Sequence, residues 1–278
     1  KVQPKVTASG AVIPARQLDV MPQVGGRITW LHESLDPGTF VDEGQQLFRI
    51  DSSDYDLRVK QAQAQLDQAK AQLALEAGQQ EVAREEWKMF KDQLDSADAD
   101  PALALREPQL KSAQVSVESA EANLESAELN LRRTRFRAPF NAVITQSSAE
   151  IQQLVGTQSQ IARLVGTDQF WVRVSLPVDM LRYIDIPGLR GGSTDPKAAP
   201  EVSIRQDAGG HTVERRGEVI RLLSELDPAG RMAQVLVSID DPYGLAQTSE
   251  DGLRPYPILL DAYVDVEIET NQTPELIE

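Results

Sequence analysis

The 278-residue sequence predicts an α+β protein, mainly β, in which a long antiparallel coiled-coil hairpin extends from β modules to make an elongated, modular molecule. Three observations predict this. A narrow apolar seam at heptad spacing runs through two stretches between Asp54 and Leu131. Matching β half-motifs flank those stretches, and period-two alternation marks much of the second half of the chain.

The first stretch places Val59, Ala62, Leu66, Ala69, Leu73, Ala83, Trp87, Phe90 and Leu94 on one line, broken only at Glu76 and Gln80. The second places Leu103, Leu110, Ala113, Val117, Ala120, Leu124, Ala127 and Leu131 on one line, broken only at Arg106. Gly78 sits between the first two breaks. A helical glycine costs ~1 kcal/mol relative to alanine, so a weak, bent midpoint is expected there, with the register unshifted. Asp54 is expected to cap the first helix, with Asp56 near the positive end of its dipole. Asp95 to Pro101 carries turn residues and a proline suited to the first turn of a returning helix. A turn there puts Leu94 beside Leu103 and Leu66 beside Leu131. A first helix of about 40 residues would reach roughly 60 Å. Its alanine-rich seam buries little area, so the rod is expected to need neighbours on its other faces.

The flanks resemble one another. Val41, Gln46, Leu47, Arg49 and Ile50 before the hairpin answer Val155, Gln160, Ile161, Arg163 and Leu164 after it. Upstream, Met21 to Thr29 answers Ala138 to Thr145. Two such halves predict one small β-sandwich with internal two-fold symmetry, split by the hairpin. From Gln169 onward, Phe170–Leu176, Glu201–Ile204, Gln234–Ile239 and Ala262–Glu269 alternate as strands of an antiparallel barrel. A short helix is expected from Pro177 to Ile184, and a mobile loop from Gly188 to Pro200.

A formal charge of −15 disfavours nucleic acid as a partner. The one basic cluster, Arg132, Arg133, Arg135 and Arg137, reads as a solvated element end. Cysteine is absent, and His32 and His211 are far apart, which leaves little from which to build a metal site. Acid pairs such as Glu225 and Asp241 are unsurprising at this charge, and neither histidine lies in a nucleophile motif. No catalytic, cofactor-binding or metal-binding residue is assigned, and no enzyme is expected. No apolar run approaches the roughly 18 to 20 residues that span a bilayer. The start at Lys1 reads as a trimmed or processed fragment, its membrane anchor lying outside it.

The segment Gly38-Thr39-Phe40-Val41-Asp42-Glu43-Gly44-Gln45-Gln46-Leu47-Phe48-Arg49-Ile50-Asp51 resembles the first half-motif of the biotinyl/lipoyl-like domain of periplasmic adaptors, or membrane fusion proteins. Arg106-Glu107-Pro108-Gln109-Leu110 and Thr134-Arg135-Phe136-Arg137-Ala138-Pro139-Phe140 fit the same pattern, as does the Asp227-Pro228 turn with Arg231. Gln152 and Gln158 depart from it, standing where the second half often has glycine. A true lipoyl or biotin carrier needs a lysine on the turn that the hairpin replaces, and the sandwich has none.

The resemblance implies a membrane-proximal remnant at 1–15 and 268–278, a split lipoyl-like domain at 16–52 and 137–167, a hairpin at 53–136 and a β-barrel at 168–267. It implies a periplasmic location, attached to the inner membrane of a Gram-negative bacterium. It further implies a hexameric ring coupling an inner-membrane transporter to an outer-membrane channel in a tripartite efflux pump. Hairpin length favours a transporter of the resistance–nodulation–division type over an ABC-transporter or type I secretion system. The hairpin tip, with Leu94, Ser96, Leu103 and Arg106, would meet the channel.

Overall fold

The computed structural model describes residues 5–33, 35–91, 101–187, 200–208, 210–227, 230–245 and 255–270. The chain is built as nested insertions: a barrel is interrupted by a sandwich, and the sandwich by a helical hairpin.

The barrel is closed by β1 (Lys5–Pro14), β10 (Gln169–Leu176), β13 (Ala233–Asp240), β12 (His211–Leu226), β11 (Glu201–Ala208) and β14 (Tyr263–Glu269), in that order. All neighbours are antiparallel. Alternation decides which side chains fill it: Phe170, Val172, Val174 and Leu176 of β10 point in, as do Val264, Val266 and Ile268 of β14. The stretch Pro177 to Ile184 forms a 3-10 helix, Val178–Tyr183.

Two expectations change here. The resemblance implies a separate membrane-proximal unit at 1–15 and 268–278, but Lys5–Pro14 is a barrel strand. It pairs with β10 on one side and β14 on the other, and Ile268 is a core residue. Without β1 the barrel would expose two unpaired edges, so this strand is what closes it. The 16-residue β12 is the second change, since its alternation is hidden by Arg215, Arg216, Glu218 and Arg221 and by Gly217. The expected loop at 188–199 lies outside the described residues.

The sandwich packs two four-stranded sheets over one core. One runs β2 (Gln17–Val20), β9 (Ala162–Gly166), β7 (Ala142–Ser147), β4 (Phe40–Val41). The other runs β6 (Arg135–Arg137), β5 (Gln46–Ile50), β3 (Gly26–Leu31), β8 (Leu154–Val155). The matching halves interleave: β4 of the first half pairs with β7 of the second, and β8 of the second with β3 of the first. Ile28, Leu47, Ile50, Ile144, Ile161 and Leu164 form the shared core. Val143 and Val165 join the barrel core instead. At this junction Tyr243 sits edge-on to Phe40 at 5.2 Å and to Phe170 at 5.3 Å, and burial pushes its hydroxyl pKa up.

The hairpin comprises α1 (Ser53–Lys91), α2 (Pro101–Ala104) and α3 (Glu107–Arg132). α1 runs through Gly78 unbroken. Its start is held by Asp51 rather than Asp54: the Asp51 carboxylate accepts from the Ser53 N–H at 3.0 Å and the Ser53 hydroxyl at 2.7 Å. The Tyr55 hydroxyl donates to the Gly25 carbonyl at 2.7 Å, tying the first turn to the sandwich. The Ser53 hydrogen bonds, then the Arg27 charge, lower the Asp51 pKa from its ordinary 3.8.

A lowered carboxylate pKa adds stability above the unfolded-state value and loses it as pH falls through the folded one. Asp51→Ala is therefore expected to lower the melting temperature at neutral pH, with the gap to wild type narrowing as pH drops below about 4. Thermal melts across that range check it. In the barrel, a methyl at Gly217 would collide with the Ser238 carbonyl on β13. Gly217→Ala should destabilise by about 1–3 kcal/mol in a denaturant titration.

Candidate partner-binding site on the helical hairpin

α1 and α3 meet along the heptad line read from the sequence. Leu66, Val117 and Ala120 are buried at its centre, with Ala69, Leu73 and Leu124 packed around them. The lengthwise register differs from expectation: Leu66 lies against Val117 and Ala120, not Leu131. The cause is at the base. α1 leaves β5 and α3 enters β6, two paired neighbours, so Ser53 and Arg132 start level and the pairing counts inward from there.

The second stretch is also not one continuous helix. Arg106 adopts the left-handed conformation at φ 56° and separates α2 from α3. Its guanidinium donates to Glu76 at 2.8 Å and to the Gln79 side-chain oxygen at 2.6 Å. The charged break in each seam thus answers the other across the hairpin. The Glu76 side chain is only 15% exposed and that of Arg106 36%. Of the four tip residues expected to meet a partner, Arg106 is engaged inside the hairpin, while Leu103 is 64% exposed. Leu94 and Ser96 lie outside the described residues.

The hairpin has two unlike faces. Helical spacing puts Gln65, Gln68 and Gln72 on one side of the α1 seam and Lys70 on the other. The Lys70 side is charged and is bridged to Glu121 of α3 at 3.4 Å. The opposite side is an open groove of about 620 Å³ between the helices, lined by the three glutamines with Ser112, Ser119 and Asn123. From the groove round to the back of α3, Pro108, Ser112, Val115, Ser119, Ala122, Ser126 and Leu129 recur at three- and four-residue steps, all exposed and none charged. On α1, Leu57, Gln61, Ala64, Gln68, Ala71, Leu75, Gly78 and Val82 do the same. Each helix therefore carries a second heptad line with no partner among the described residues. Small uncharged side chains at that spacing allow another helix to approach closely. Apolar spacing in the sequence marks only the inner seam. The signal for the outer one was the absence of charge at these positions.

Neither histidine is placed for chemistry. His32 Nε2 and the Gln45 side-chain nitrogen are 2.8 Å apart, and His211 stacks on Tyr256 at 4.7 Å. No group of three or more metal-ligating side chains occurs among the described residues. No helix among them is long and apolar enough to cross a membrane.

The architecture is thus a six-stranded barrel carrying a sandwich that in turn carries a helical hairpin. Three solved structures share it. MacA from Actinobacillus actinomycetemcomitans matches with TM-score 0.66 at 17% identity, covering 97% of this chain and 79% of that one. A MacA–MexA chimeric protein containing the Pseudomonas aeruginosa MexA α-hairpin domain matches at 0.62 and 15%, covering 96% and 81%. The membrane fusion protein Spr0693 from Streptococcus pneumoniae R6 matches at 0.62 and 15%, covering 96% and 100%.

In sequence, the pyoverdine export membrane fusion proteins PvdR of Pseudomonas putida and Pseudomonas aeruginosa are 34% identical over 91 residues and 35% over 86. These matches span 33% and 31% of this chain but only 23% and 22% of those proteins. No family model matches the chain. The chain thus shares the fold of these solved structures, and over roughly a third of its length it is similar in sequence to membrane fusion proteins.

The Arg106–Glu76 pair generates a direct test. Arg106→Ala and Glu76→Ala should each destabilise the hairpin, and a double-mutant cycle should give a coupling of about 1 kcal/mol. A coupling near zero by denaturant titration would mean that the pair is only a solvated contact.

Proposed function

We propose that the chain is the periplasmic adaptor of a tripartite efflux pump, joining an inner-membrane transporter to an outer-membrane channel. One observation carries the reading: the uncharged, heptad-spaced outer face of the hairpin, which gains nothing in an isolated chain and fits the helices of neighbouring copies. Side-by-side hairpins would build a ring around an export path. In this reading the sandwich is the lipoyl-like domain of the family, and the adaptor is held at the inner membrane of a Gram-negative bacterium. Any membrane-proximal domain and anchor would be carried by parts of the protein beyond these residues. The transporter is of the resistance–nodulation–division type, which the hairpin length of about 60 Å supports over longer secretion adaptors. The tip, with Leu94, Ser96, Leu103 and Arg106, meets the channel. There Leu103 would supply apolar contact, while Arg106 braces the segment through Glu76.

Two measurements test the reading. Single-cysteine variants Ser96→Cys and Leu103→Cys, with the transporter and channel present, should crosslink to the channel, and Gln169→Cys in the barrel should not. Tip variants that fold and still give no channel adduct would sink the coupling role. For the ring, Ser119→Glu is expected to abolish self-association while leaving the monomer melt unchanged, and Glu118→Gln on the charged side should leave association intact. Crosslinking or sedimentation of the assembled protein reads this out.

A further inference from the structure

We propose that the arginine cluster at the foot of the hairpin is a binding site for a phosphate-bearing ligand. Arg132, Arg133, Arg135 and Arg137 do not splay into solvent as a plain element end. They line one cleft of about 510 Å³, between the end of α3 with β6 and the segment from Leu18 to Gln23. Both strands bordering it, β2 and β6, are end strands of their sheets, so nothing in the sandwich closes it.

The chain's own carboxylates neutralise this cluster only in part. Arg132 reaches Glu128 only at 3.8 Å. Arg133 reaches the Asn130 side chain at 3.4 Å, and Arg137 donates to the Gly44 carbonyl at 2.8 Å. The Arg135 side chain makes no hydrogen bond or ion pair among the described residues. The one acid lining the cleft, Asp19, already accepts from Arg163 at 2.6 Å and Gln160 at 3.2 Å. In a chain of formal charge −15, four guanidinium groups thus share one concavity lined by a single carboxylate, which is already bonded to Arg163.

The helix dipole favours cations at Arg132 and Arg133, and Arg137 ties down the turn at Gly44. Arg135 has no such internal role. A multivalent anion relieves the mutual repulsion, and phosphate does this best. It offers several oxygens in the geometry that guanidinium forks bind two at a time. The charge of the whole molecule excludes a long nucleic-acid backbone, so the ligand is small. The cleft also has apolar lining: Met21, 45% exposed, on the Leu18 to Gln23 side, and Phe48 and Phe136, whose rings stack at 5.3 Å, on the arginine side. These side chains give an acyl or other apolar group attached to the phosphate a place to rest.

This site does not depend on the adaptor reading, and its test uses neither transporter nor channel. The 278-residue chain is titrated calorimetrically with inorganic pyrophosphate and, separately, with a short-chain phosphatidic acid kept monomeric. Both should bind, more weakly as salt rises. Arg135→Ser should weaken both about tenfold, the loss of a charge-assisted hydrogen bond, with its melt otherwise near wild type. Tighter binding of the lipid that Met21→Ser removes, with pyrophosphate binding unchanged, supports the site and assigns it to a lipid headgroup. Equal affinity for both probes supports the site and assigns it to a soluble phosphate compound. Failure of both probes to bind, or binding indifferent to Arg135→Ser, would overturn the proposal.

Discussion

The Ile50 N–H donates to the Thr134 carbonyl at 2.8 Å, and much of the molecule is organised around that bond. It lies where the chain leaves the sandwich to begin α1 and where it returns from α3. Thr134 is fully buried, and its hydroxyl closes the end of α3 on the Leu131 carbonyl at 2.7 Å. Beside it, Phe48 stacks on Phe136, so the departing and returning strands are held by both polar and apolar contact. Because the two ends start level, the inner seam finds its register without further instruction. Small alanine-rich helices can then pair over a long distance with little buried area at each step.

Above that anchor, the hairpin divides its work by face. One side is charged and cross-linked by Lys70 and Glu121, a partly exposed pair worth little in energy but unsuited to apolar neighbours. The other is uncharged and open. A rod with one charged and one neutral flank has a handedness, and a partner helix approaching from the charged side meets mismatched charge. Such an arrangement restricts how any partner helix can lie against the hairpin more than it strengthens any one contact. Near the far end, Arg106 interrupts the helix and spans to Glu76, where a plain apolar seam would have allowed an unbroken rod.

The hairpin was legible because heptad spacing is a long-range periodic signal, and its seam positions coincide with the buried and half-buried residues of α1 and α3. The sandwich was legible from the repeated half-motif, though its interleaving was not, because pairing between halves leaves no trace in local pattern. What stayed hidden had local causes. Lys5–Pro14 reads as any edge strand until the barrel needs it to close, and β12 carries charges along its solvent side and a glycine where Ser238 crowds it. The break at Arg106 was invisible because nothing in its residue type demands a left-handed backbone. The arginine cluster was visible as a run but not as a cleft, since the opposite wall comes from residues more than a hundred positions earlier.

The hairpin also behaves as a cartridge. Both of its ends are fixed by one pair of adjacent strands, so the sandwich has no means of sensing what lies beyond Ser53 and Arg132. Adding or deleting one heptad in each helix would change the reach by about 10 Å and leave every sandwich contact in place. Reach is therefore a quantity that evolution or engineering can vary separately from the body that carries it.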